Sequence, residues 1–379
     1  MKKDNKSVTG VKNLKAPKSE KKKVEEEAVT IGIDLGDKSS RYCVLNAGGE
    51  VTGERSVATT KTGMAQAFGA LKRSRIALEV GTHSAWVSRL LSGFGHEVIV
   101  ANARQVRLIS ASSQKDDKFD ARTLARLARV DPQLLRPIRH RSEKAQMDLM
   151  RIRVRAALVE TRTSLVNTAR GLVKALGERL PQCDADQMGV KQAQGLPKEW
   201  QEELKPLLEE VESLTEKIKA SEAQLEQIAR TEYPETELLK QVKGVGPLIA
   251  LTYVLTVEDP QRFEKSRDMG CYVGLRPKRR DSGESRPQLG ITKEGDGYLR
   301  KMLVQGAHCI LSRRGPDTDL KRWGLKLAER GGKNAKKRAV VAVARKLAVL
   351  LHCLWVTGEV YEPLRNSNAG ADVSSPAAA

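Results

Sequence analysis

The sequence predicts an α/β domain on the N-terminal side, a pair of long helices in the middle and a mainly α domain on the C-terminal side. Three observations carry this reading. Between about residues 28 and 140, short apolar runs bounded by Gly, Asp and Asn alternate with helical patterns. From about 141 to 232, apolar and charged residues interleave at helical spacing with one interruption. From about 233 to 360, short helical runs are separated by turns rich in Gly and Arg.

The elements follow in order. Residues 1–27 are charged and nearly without large apolar groups, which predicts a disordered basic arm. "TIGIDLG" is an apolar run closed by Asp and Gly, and reads as a strand. "SRYCVLN", the turn "AGGE" and "VTGERSV" add a hairpin. A helix is expected over about 61–72, a buried strand at "RIALEVG", a helix at "SAWVSRLLSGFG" and a strand at "HEVIVAN". A helix from about Asp117 to Val130 closes the series. The order β-β-β-α-β-α-β-α is that of a ribonuclease-H-like domain.

Next comes one long helix over about 142–179 and a second over about 200–230, joined by a loop containing "LPQCDADQMG". In the second, Leu207, Val211, Leu214, Ile218, Leu225 and Ile228 form a coiled-coil-like seam, with Ser221 in the missing heptad place. Pro206 is read as marking its first turn. A helical hairpin follows, pairing with itself or with a second protomer. "LLKQVKGVGPLIALTYVLTV" has the form of helix, Gly-Val-Gly turn, helix. After a Gly- and Arg-rich loop come three further helices, and residues 361–379 read as a disordered tail.

At 379 residues the chain is long enough for two or three domains with proper cores. The 67 Lys and Arg against 47 Asp and Glu give a formal net charge of +20, which predicts a polyanionic partner. Nucleic acid is the simplest, because Lys and Arg release the counterions of the phosphates they neutralise. No amphipathic segment favours an anionic membrane surface. The five cysteines are scattered and form no CxxC, which fits a reducing compartment and argues against a thiolate zinc site. The most apolar stretch, "AVVAVARKLAVLLHCLWV", is interrupted by Arg345, Lys346 and His352, and reads as a buried helix, not a membrane span.

In this basic chain, "SQKDDKFDARTLARL" concentrates three acids: Asp116, Asp117 and Asp120. Asp34 and Glu79 each close an apolar strand. Neighbouring parallel strands place their carboxyl ends on one sheet edge, where ligands bind. Asp117 and Asp120 lie three apart, on one helix face. Carboxylates gathered this way repel one another unless they share a cation. Oxygen-only ligands suit Mg²⁺ or Mn²⁺, and two such ions can clamp the attacking and leaving oxygens of a phosphodiester. The competing reading of Asp117 is a first-turn acid favoured by the helix dipole. "IGIDLG" also occurs in actin- and Hsp70-like ATPases, but their further phosphate and adenosine loops are not found here.

In "VKGVGPLIALTYV", Gly244 and Gly246 would let the backbone approach a phosphate at the next helix N-terminus; an ordinary αα-turn is the alternative. "RPKRRDSGESRPQLGITKEG" holds Ser282 and Ser285 among Arg276, Lys278, Arg279, Arg280, Arg286 and Lys293. That loop can bind phosphate. For a serine there to attack phosphate, a base or a metal must come from elsewhere, since a free hydroxyl has too high a pKa.

With "IGIDLGDKSS", "ALEVGTHSAW", "KDDKFDARTLA", "VKGVGPLIA", "YVGLRPKRRDSGES" and "LGITKEGDGYLRKML", the chain resembles the DEDD-motif insertion-sequence transposases of the family numbered one hundred and ten, relatives of the Piv-type DNA invertases. The resemblance runs from about 29 to 355. It implies a RuvC-like N-terminal domain whose acidic tetrad falls on Asp34, Glu79, Asp117 and Asp120, a coiled-coil segment, and a C-terminal transposase domain with helix-hairpin-helix. It implies a nucleophilic serine at Ser282, with Ser285 as second choice because Asp281 stands where many relatives carry a small or polar residue. It further implies Mg²⁺ (or Mn²⁺), donor and target DNA, a structured noncoding guide RNA, a dimer or tetramer with a site composed across subunits, and a cytoplasmic, nucleoid-associated protein. Two other expectations stay open. One is a hydrolytic RuvC-like nuclease or junction resolvase that uses water, which would have no need of the serine. The other is a nucleic-acid-binding protein with a decayed site, against which the intact acids argue.

Overall fold

The computed structural model describes residues 29–102, 117–280, 282–285, 287 and 289–366. The basic arm, residues 367–379 of the expected tail, Asp116, Asp281 and Arg286 lie outside the described residues, as do the side chains of residues 117–119. The chain divides into two compact units, residues 1–140 and 141–379.

The first unit is built on a five-stranded sheet. Its strands are β1 (Thr30–Asp34), β2 (Ser39–Leu45), β3 (Val51–Ala58), β4 (Arg75–Glu79) and β5 (Glu97–Ala101). They lie in the order β3-β2-β1-β4-β5. β2 pairs antiparallel with β1 and β3, while β4 is parallel to β1 and β5. Helices α1 (Lys61–Phe68), α2 (Ser84–Gly93) and α3 (Asp117–Val130) complete the unit. Thr60 caps α1 by accepting from the Gly63 N–H.

Strand alternation sorts the sheet's two faces by size. Ile31, Ile33, Ile76 and Leu78 point to one face and pack with Met64 and Phe68 of α1 and Val87 and Leu91 of α2. On the other face Cys43 and Leu45 meet Ala121 and Ala125, and Ala77 meets Leu124 and Ala128 of α3. Small residues there let α3 lie close to the strands.

The second unit is helical. α4 (Glu143–Ala175) and α5 (Lys198–Glu232) pack side by side and antiparallel. Arg155 pairs with Glu222 near one end, and Arg162 donates to Thr215 Oγ1 at 3.1 Å further along. Val166, Ala169 and Val173 of α4 pack with Leu204, Leu208 and Val211 of α5. At the other end, Ile152 and Leu225 share a core with Leu251 and Leu255 of α7 (Pro247–Val257) and with Tyr298 and Met302 of α9 (Gly297–Leu311). The short α6 (Glu235–Lys240) and α8 (Met269–Tyr272), with α10 (Asp319–Glu329) and α11 (Ala335–Thr357), complete the unit.

Two details of α5 differ from expectation. Pro206 sits in the helix interior, because the helix starts earlier, at Lys198 behind the N-cap Pro197. The seam runs through Leu204 and Leu208, with Leu207 only partly buried at its edge. Val211, Leu214, Ile218, Leu225 and Ile228 are buried as the spacing predicts.

α11 is long and apolar enough to cross a membrane by length and composition. Its Val343, Ala344, Leu347, Ala348, Leu351 and Leu354 are buried in the core of this unit. Tyr253 of α7 is fully buried beside it and donates to the Ala348 carbonyl at 2.7 Å; burial pushes its phenol well up.

Candidate active site

Asp34 is the last residue of β1 and Glu79 the last of β4. The parallel register pairs Ile33 with Leu78, so the two acids stand one step further along on adjacent strands. Period-two alternation puts Asp34 on the face of Gly32, and Glu79 on the face of Ala77. That is the face covered by α3. Both acids are half-buried.

The path of α3 is fixed at two points. A Cβ built on Gly32 would lie 2.0 Å from the Ala121 carbonyl oxygen and 2.5 Å from the Ala125 nitrogen, so the helix backbone rests directly on β1. Further along, the Ala128 carbonyl accepts from Arg75 at 3.2 Å, and Arg75 pairs with Thr30 at the start of β1. Thus α3 runs antiparallel to β1, with its N-terminus at the strand end that carries Asp34. Ala121, Leu124, Ala125 and Ala128 form its sheet-facing stripe. Positions 117 and 120 continue that stripe one turn back, by four from 121 and from 124. Asp120 is half-buried; the side chain of Asp117 lies outside the described residues.

All four positions therefore belong to one edge of one sheet by backbone placement. Oxygen donors at the carboxyl ends of parallel strands fit a hard divalent cation in chemistry. Among the described residues, however, no three acidic, histidine or cysteine side chains form a group that could hold a metal ion. The backbone gathers the positions, and the described side chains are not drawn into one cluster.

A second feature of this edge is not apparent from the sequence. His83, in the loop after β4, bonds Asp37, in the loop after β1, at 3.3 Å. Trp86 Nε1 donates to His83 Nδ1 at 3.1 Å, so Nε2 carries the proton and donates to the Asp37 carboxylate. The pair ties together the two loops that follow the acids. Its trace in the sequence is the "HSAW" of "GTHSAW", a His three residues before a Trp at a helix start.

In the second unit, Ser282 and Ser285 face each other across a tight turn. Ser282 N–H donates to the Ser285 carbonyl at 3.2 Å, and Ser285 N–H to the Ser282 carbonyl at 3.0 Å. Gly283 takes the first central position with φ +55, a conformation glycine adopts without strain. Below this tip the two arms are held by Lys278 N–H to Gly290 O at 2.9 Å and Thr292 N–H to Arg276 O at 2.9 Å. Ser282 is therefore an exposed residue near the tip of a short ribbon. Arg276, Lys278, Arg279 and Arg280 line the outgoing arm and are exposed; Lys293 closes the return arm with φ 59. Glu284, described and exposed, stands between the two serines, so contrary to expectation the turn carries a carboxylate of its own.

The helix-turn-helix places its two glycines differently. Gly244, at φ +92, packs against α9: a Cβ there would meet the Gly306 carbonyl oxygen at 2.8 Å. Gly246 is the exposed N-cap of α7, with open space on its Cα. Only Gly246 thus keeps a helix N-terminus open to solvent; Gly244 serves helix packing.

Known proteins resemble this chain along most of its length. A family model for the DEDD transposase of IS110, described as "Transposase", matches residues 31–177. A second, described as "Transposase IS116/IS110/IS902 family", matches residues 236–321. The chain is 28% identical to the transposase for insertion sequence element IS1111A of Coxiella burnetii, over 87% of this chain and 90% of that one. It is 28% identical to a putative transposase, y4pF/y4sB, of Sinorhizobium fredii, over 89% and 86%. With the transposase for insertion sequence element IS1328 of Yersinia enterocolitica it shares 27%, over 75% and 84%.

Proposed function

The chain belongs to the IS110 family of insertion-sequence transposases and is a DNA transposase, and on that premise we propose that it cuts and rejoins DNA through metal-held carboxylates and a nucleophilic serine. The carboxylates are Asp34, Glu79, Asp117 and Asp120, on a RuvC-like domain. The nucleophile is Ser282, with Ser285 as the alternative on the same turn. A strand order of β3-β2-β1-β4-β5, antiparallel at one side and parallel at the other, supports the RuvC-like reading. The antiparallel packing of α4 on α5 along a heptad-spaced seam supports a coiled-coil segment.

When bound, a divalent cation such as Mg²⁺ or Mn²⁺ supplies charge stabilisation at phosphate oxygens and eases deprotonation of a hydroxyl. The remaining steps belong to the chain and the DNA. Ser282 Oγ attacks the scissile phosphorus and loses its proton. A serine–phosphate ester forms as the bond from phosphorus to one DNA oxygen breaks, and that oxygen leaves as a hydroxyl after taking a proton. In rejoining, a DNA hydroxyl attacks the same phosphorus and the serine departs with a proton. Each step exchanges one phosphate ester for another, so no external energy source is needed. Arg276, Lys278, Arg279, Arg280, Arg286 and Lys293 hold the phosphate backbone around the serine.

The partners follow from this reading. They are donor and target DNA, with a structured noncoding RNA that selects them by base pairing. The +20 net charge fits a nucleic-acid load. Serine and carboxylates meet in a homo-oligomer, and the protein works in the cytoplasm, at the nucleoid.

The observation that carries the proposal is the backbone convergence of Asp34, Glu79 and the α3 N-terminus on one sheet edge. Asp34→Asn or Asp120→Asn, in preparations that circular dichroism shows to be folded, should reduce Mg²⁺-dependent cleavage of element-junction DNA by about 100-fold or more. Wild-type cleavage rates in both variants would overturn the metal-held site.

A further inference from the structure

The second unit carries a groove of about 1740 Å³ that nothing above assigns. Its walls are α10, α11 and the base of the serine ribbon, where Pro277, Gly290 and Ile291 line it. Its charge is lopsided. Lys326, Arg330, Lys337, Arg338, Arg345 and Lys346 line it and are all exposed. Among the described residues none of the six lies within ion-pair distance of a carboxylate. By contrast, two other cations of the lining are neutralised, Arg322 by Asp317 and Arg365 by Glu359. The acids of the lining are Asp319, Glu359 and Glu362, and Asp319 already accepts from the Asn366 N–H at 2.7 Å.

Uncompensated cations crowded around one concavity raise each other's energy unless a polyanion shares the site. On α11 they come in two pairs, Lys337–Arg338 and Arg345–Lys346, eight residues apart. At 1.5 Å per residue that is about 12 Å, or roughly three to four base-pair steps along the axis of a duplex at 3.4 Å each. Lys346 is also held in place, with its ammonium 4.0 Å from the Trp323 ring centroid.

We propose that this groove binds the phosphate backbone of duplex DNA next to the phosphate attacked by Ser282, feeding the strand to the serine ribbon that forms its wall. The inference rests on the serine reading above. The groove is a positioning site with no role in the chemistry itself. It explains why the C-terminal helices, past the second family match at residue 321, keep six unpaired cations on one side.

The test uses the full chain with Ser282→Ala, so that binding is read without cleavage. Fluorescence anisotropy follows a labelled DNA duplex and a labelled RNA of the same length across a salt series. Lys326→Gln, Arg330→Gln, Lys337→Gln and Arg338→Gln are combined; all four side chains are exposed, and an unchanged melting midpoint confirms folding. The expected result is a fall of about 3.6 in the magnitude of the slope of log affinity against log salt for duplex DNA, near 0.9 for each of the four lost phosphate contacts. A slope change below about 1 overturns the proposal, as does a loss confined to RNA. Adduct formation is measured separately at saturating protein in the fourfold groove variant that retains Ser282. An unchanged duplex slope with an adduct present would remove the groove and leave the serine reading standing; the reverse result would remove the serine reading alone.

Discussion

A methyl group at position 32 would sit 2.0 Å from the Ala121 carbonyl oxygen, far inside van der Waals contact. The obstacle is helix backbone, which cannot rotate away, so Gly32→Ala must lift α3 off the sheet. Overpacking of this kind costs about 3 kcal/mol or more. Gly32→Ala is expected to lower the stability of the first unit to urea by that amount, and to displace the α3 acids from Asp34 and Glu79. A variant of wild-type stability would mean that α3 does not rest on β1 as described. In "IGIDLG", Gly32 reads only as part of a strand. A glycine inside a buried strand is itself a sign of close backbone approach, although nothing local names what approaches. Asp34 and Glu79 are legible because an acid that ends an apolar strand needs a reason. The Asp37–His83–Trp86 chain is not, because its members meet only when two loops are brought together by parallel pairing. Ser282 stands out by family resemblance alone.

At the scale of elements, boundaries follow local rules except where packing overrides them. Helix α3 is expected to end at Val130 and does so. In α5, by contrast, an interior proline leaves one carbonyl without its helical partner and costs about 3 kcal/mol, so proline is ordinarily read as a first-turn residue. Burial of Leu204 and Leu208 against α4 offsets that loss and carries the helix past Pro206. The same packing shifts the seam away from Leu207. Helix α9 shows how a cap can join elements. Asp296 accepts from the Tyr298 and Leu299 N–H groups, each at 2.9 Å, and pairs with Arg153 of α4 at 2.9 Å and with Arg141 at 3.7 Å. Burial pushes its carboxyl up, but the Leu299 N–H and the two guanidinium groups outweigh this and hold it below the usual carboxylate range. Since the folded value is depressed, the stabilisation is present above the unfolded pKa near 3.9 and lost as pH falls through the folded value. Asp296→Asn should therefore cost about 2–4 kcal/mol at neutral pH, and progressively less below about pH 4. Denaturation midpoints across that range check it; a penalty constant with pH would show that the charge does not matter.

Over the whole molecule, charge and chemistry are divided between two units. The first carries the acidic edge, and the second carries the serine ribbon and the unpaired cations of the groove. Composition alone makes a polyanionic partner legible, because an excess of 67 cationic over 47 acidic residues survives any folding. It does not show where the excess gathers, since Lys326 to Lys346 become one wall only when α10 packs on α11. The layer order of the sheet is likewise readable from strand and helix succession. How the carboxylates would reach the serine is not, because no local pattern in the sequence encodes it. In the proposed reaction Ser282 attacks phosphate with help from the acidic edge. The most direct test is to incubate the protein with Mg²⁺, junction DNA of its element, target DNA and RNA transcribed from the element's flanks, then digest and locate any DNA-linked peptide by mass spectrometry. A nucleotide on Ser282, lost in Asp34→Ala, is the expected result. Cut ends that form without any serine adduct, and that still vanish in Asp34→Ala, would contradict it and identify water as the nucleophile.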